Sequence, residues 1–117
     1  MCSSDLDDDI ERAADSFRPF IALYIGGMGA KSMNFHFDVF SRMGYEAEAT
    51  KIQELYLDGR KDEAAAAVPT ALIEDTALIG PKEKIRDDLE GWRESIATTL
   101  LVAGDTSTLQ TIAELAL

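Results

Sequence analysis

His36 is the only histidine in the chain, and histidine is the side-chain type whose charge changes in the neutral range. Beside a substrate it would donate a hydrogen bond or pass a proton, which makes it a weak candidate for a catalytic group. Phe35 and Phe37 flank it, so a half-buried histidine on a helix surface is the competing reading. One histidine cannot assemble a metal site, which needs three or four converging ligands. Without a nucleophile elbow it makes no serine-histidine-acid set either. The catalytic residues are otherwise unassigned, and no metal is expected.

Upstream lies Gly26-Gly27-Met28-Gly29. Such a run could let backbone approach a cofactor or substrate, so Gly26, Gly27, Met28, Gly29 and the nearby Asn34 are candidates for binding one. The run is no phosphate loop, because no Gly-Lys-Ser/Thr follows at the required spacing. Its other reading is a helix terminator with tight packing. Asn34 equally suits a helix N-cap, and Lys31 could meet an anionic cofactor tail. The many acids read as solvated helix faces before any glycosidase pair.

With 117 residues the chain has the size of one small domain. Its hydrophobic fraction of 46% is enough for a core. There are 22 acidic against 11 basic side chains, a net charge of −11, which argues against nucleic-acid partners and anionic membrane surfaces. No apolar run approaches the roughly 20 residues that span a bilayer, and the acidic start is unlike a signal peptide. A cytoplasmic protein is expected. The single cysteine, Cys2, excludes an internal disulfide.

The elements that must position these residues follow from periodicity. Ile10, Ala14, Phe17, Ile21 and Ile25 share one helical face, with Pro19 either kinking the helix or opening a second one. A short helix is predicted over Phe35–Met43, stopped by Gly44. Another is predicted over Tyr45–Leu57, with Ala49, Ile52 and Tyr56 inward and Gly59 at its end. An alanine-rich helix follows over Arg60–Val68, and a turn or two over Ala71–Thr76. Pro81 opens the clearest helix, with Ile85, Leu89, Trp92 and Ile96 as its apolar stripe. Thr98–Ala103 is short, apolar and without alternation, as a parallel strand buried on both faces reads. Leu78-Ile79 is too short to be more than a bridge. A last helix buries Leu109, Ile112, Ala113 and Ala116.

One buried strand must pair its backbone edges with something. Helix, strand and helix over 81–117 therefore look like one slice of a larger parallel sheet. The alternative is a self-contained helical protein-interaction module without catalysis, in which Thr98–Ala103 lies unpaired on helices.

Three segments carry a family resemblance. Arg18-Pro19-Phe20-Ile21-Ala22-Leu23-Tyr24-Ile25-Gly26-Gly27-Met28-Gly29, followed by Asn34-Phe35-His36, is the first. Ile52 through Gly59 with Ala64 through Pro69 is the second. Leu78-Ile79-Gly80-Pro81 with Ile85, Leu89, Trp92 and Thr98 through Val102 is the third. Together they resemble the C-terminal end of bacterial luciferase-like monooxygenases, in the subgroup using the deazaflavin coenzyme F420.

The resemblance implies an α/β fold, the C-terminal part of a TIM (β/α)8 barrel, mostly helical here. It makes Thr98–Ala103 the eighth strand, with the helix near Asp7 following the seventh. In a TIM barrel the loop after a strand faces the active site, so Asp105 is eligible there, although it also suits a helix cap. The implied reaction is hydride transfer between coenzyme F420, or alternatively FMN, and a small organic substrate. The cofactor would be bound mainly by regions outside this chain, and the parent would be a homodimer. Met1-Cys2-Ser3-Ser4-Asp5-Leu6 resembles a translated sequencing adaptor, so 1–6 is expected to be a non-native leader. Residues 7–117 are then the C-terminal portion of one barrel domain, with a helical excursion over about 34–76.

Overall fold

A computed structural model describes the backbone of residues 2–117 and the side chains of 6–117; Met1, part of the expected leader, lies outside the described residues. The chain divides into two compact units. One comprises Met1–Ala14 with Glu74–Leu117, and the other Asp15–Ile73.

The first unit contains a parallel sheet. Its strands are β1 (Cys2–Leu6), β2 (Ala77–Gly80) and β3 (Val102–Ala103), in the order β2-β1-β3. Ala77-Leu78-Ile79-Gly80 is apolar and buried throughout, the pattern of a strand covered on both faces. It pairs with β1 from Ser3↔Ala77 to Leu6↔Gly80. The bridge expected at Leu78-Ile79 is therefore a four-residue strand, at the edge of the sheet opposite β3. The segment expected to be a leader supplies the middle strand.

The strand expected over Thr98–Ala103 shrinks to Val102–Ala103, paired with β1 at Cys2↔Val102 and Ser3↔Ala103. It is not buried on both faces, since Leu101 is 67% exposed and Ala103 is exposed too. The reason is position: β3 is an outer strand with a ladder on one side only.

Helix α1 (Ile10–Asp15) begins in this unit, and α7 (Lys82–Arg93) and α8 (Thr106–Ala116) belong to it. Leu78, Ile85, Leu89 and Ile112 form its core, with Leu6, Trp92, Leu100, Val102 and Leu115 packed around them. Two parts of the predicted stripes fail. Helix α7 ends at Arg93, which leaves Ile96 fully exposed. Helix α8 buries Thr108 and Ile112 and exposes Leu109, Ala113 and Ala116. Arg93 Nη2 donates to the carbonyls of Leu115 and Ala116, each at 3.0 Å, satisfying acceptors at the end of α8 that have no partner within the helix.

The second unit is helical: α2 (Arg18–Gly27), α3 (Phe35–Phe40), α4 (Glu46–Leu57), α5 (Lys61–Ala66) and the start of α6 (Thr70–Thr76). Pro19 sits in the first turn of α2, so of its two predicted effects the second helix is realised. The helical unit begins at Asp15, earlier than the excursion expected from 34. A kinked segment, Ser41–Tyr45, joins α3 to α4, and Gly44 turns it at φ +102°. Only glycine takes that conformation readily, which explains why the helix predicted to stop at Gly44 does so. Ala49 and Ile52 are fully buried as expected, while Gln53 is buried beside them unexpectedly. No helix among the described residues is long and apolar enough to cross a membrane.

Candidate functional site

Parallel sheets present ligands at the carboxyl ends of their strands. In the first unit those ends carry Asp7 after β1, Gly80 closing β2, and Gly104-Asp105 after β3. Asp7 N–H donates to the Gly80 carbonyl at 3.0 Å, extending the ladder by one bond. The Asp7 carboxylate receives the Arg12 guanidinium in a two-point pair, Nε–Oδ2 and Nη2–Oδ1 both 2.6 Å. The Arg12 hydrogen bond, aided by the Asp9 backbone N–H, holds the Asp7 carboxyl down at about 2.

Asp105 Oδ1 accepts from the Thr108 N–H at 2.7 Å and caps α8. That backbone hydrogen bond and the Thr108 hydroxyl lower its pKa. Of the two roles weighed for Asp105, the geometry displays the cap. The strand ends are thus occupied by acids engaged with their own neighbours.

The residues singled out from the sequence gather in the second unit, at the corner between α2 and α3. Gly26 and Gly27 are inside α2 rather than in a loop. A Cβ on Gly26 would collide with the Cβ of Tyr56, and one on Gly27 would sit 2.6 Å from Tyr56 Cε1. Both glycines therefore let α4 approach α2 closely. Met28 ends α2 and is 47% exposed. Gly29 turns the chain at φ +143°, where a side chain would also press on the Met33 carbonyl.

Asn34 is buried and caps α3, its Oδ1 accepting from the Phe37 N–H at 3.0 Å. Its Nδ2 donates to the carbonyls of Tyr24 at 3.1 Å and Ile25 at 2.7 Å. His36 lies half-buried, edge-on to Tyr24 with ring centroids 4.6 Å apart, and 5.6 Å from Phe35. Phe20 continues the row at 4.5 Å from Tyr24. The structure therefore brings His36, Asn34 and the glycine run together. Lys31 pairs loosely with Glu54 at 3.9 Å.

Sequence reading missed Arg18 as a structural node. Its side chain is 11% exposed and donates to the Val68 carbonyl at 3.2 Å and to Thr70 Oγ1 at 2.6 Å, besides pairing with Asp15. Its partners are about 50 residues away, so no local pattern announces them.

The profile of the family described as luciferase-like monooxygenase matches residues 3–99. The chain belongs to the luciferase-like monooxygenase family. A Mycobacterium tuberculosis protein, provisionally named a coenzyme F420-dependent oxidoreductase, is 38% identical to this luciferase-like chain over 109 residues. That alignment takes in 92% of the chain and 31% of the relative, so the chain spans about a third of its relative's length. No solved structure gives a significant match.

Proposed function

We propose that this luciferase-like chain is the C-terminal part of a longer oxidoreductase with a (β/α)8 barrel. The whole protein transfers hydride between coenzyme F420 and a small organic substrate, with FMN as the alternative cofactor. The observation that carries this is the 38% identity to a relative named for F420, on top of the family match. The sheet supports it in kind, since parallel strands alternating with helices are the unit of such barrels. In this reading β3 is the eighth strand, the helix near Asp7 follows the seventh, and residues 1–6 are a non-native leader. The whole protein is a cytoplasmic homodimer. The cofactor supplies the hydride chemistry and the protein supplies position and electrostatics, mainly from regions preceding Asp7.

The test uses two preparations, this chain and the longer protein recovered from its gene. Titration with coenzyme F420, followed by absorbance, is expected to saturate for the longer protein and to show no binding to the 117-residue chain. Saturable binding by the short chain would contradict the placement of the cofactor contacts. Failure of the longer protein to bind either F420 or FMN would end the oxidoreductase reading.

A further inference from the structure

We draw no further inference here: the strongest candidate, the acidic cleft beside β2 and α7 where Glu74, Asp75, Asp87 and Asp88 stand around Leu78 and Trp92, carries nothing because Lys84 already pairs with Glu74 and Asp88 and Arg86 with Asp87, and no group in it points to a ligand.

Discussion

Asn34 Nδ2 donates to the Ile25 carbonyl at 2.7 Å, and through that bond the first residue before α3 closes the end of α2. The same side chain accepts from Phe37 N–H, so one buried amide serves two helix ends, each of which would otherwise leave backbone groups unpaired.

Asn34→Ala should therefore cost about 2–4 kcal/mol, a lost cap plus unpaired buried carbonyls. Asn34→Asp keeps the cap acceptor but turns a carboxylate toward the Tyr24 and Ile25 carbonyls, so it should be no better. Urea midpoints of the two variants check this. A wild-type midpoint in Asn34→Asp would show that the Nδ2 bonds contribute nothing.

Gly26→Ala should destabilise by roughly 1–3 kcal/mol through overpacking against Tyr56. Combining it with Tyr56→Gly should recover part of that loss, because the Tyr56 Cβ and Cγ that meet the new methyl are then gone. Gly44→Ala meets no neighbour and should still cost about 1 kcal/mol, because its φ is +102°. No second substitution should rescue it. Additivity in the Gly26/Tyr56 cycle would disprove the steric account.

Asp7 gives a pH signature. Its carboxyl is held at about 2 by Arg12, below the value of about 3.9 expected in the unfolded chain. A depressed folded pKa stabilises above the unfolded pKa, and that contribution fades as pH falls through the folded one. The melting-temperature gap between wild type and Asp7→Asn should be constant above about pH 5 and close between about 4 and 2. A gap that persists at pH 2 would mean that the ion pair with Arg12 is not its source.

Arg18→Ala should cost about 2–3 kcal/mol by leaving the Val68 carbonyl and Thr70 hydroxyl without their charged donor. Arg18→Lys should recover little, since an ammonium cannot reproduce the planar fork. Thermal melts of both variants decide it; full recovery by lysine would reduce Arg18 to a point charge.

Much of the helical half was legible in order. The periodic stripes over Tyr45–Leu57 and from Pro81 reappear as α4 and α7, and the glycine stop at Gly44 as a positive-φ turn. The strands were not. Ala77–Gly80 is four residues long, too short for periodicity to tell from a helix turn. Its status depends on β1, more than 70 residues away in sequence. At the candidate corner the sequence pointed to His36, Asn34 and the glycine run, but left open what each one does. Gly26 and Gly27 resolved as contacts for Tyr56 because that residue arrives from another helix.

By itself the sequence determined charge and helix positions, because these are carried by composition and by spacings within a few residues, while the family rested on the resemblance of three segments and then on the profile match. Only the tertiary structure decided which strand lies in the middle of the sheet, which carbonyls Asn34 and Arg18 close, and that three aromatic rings line up with His36. Each of those depends on which distant groups meet, and a local pattern does not encode a meeting between residues that are far apart along the chain.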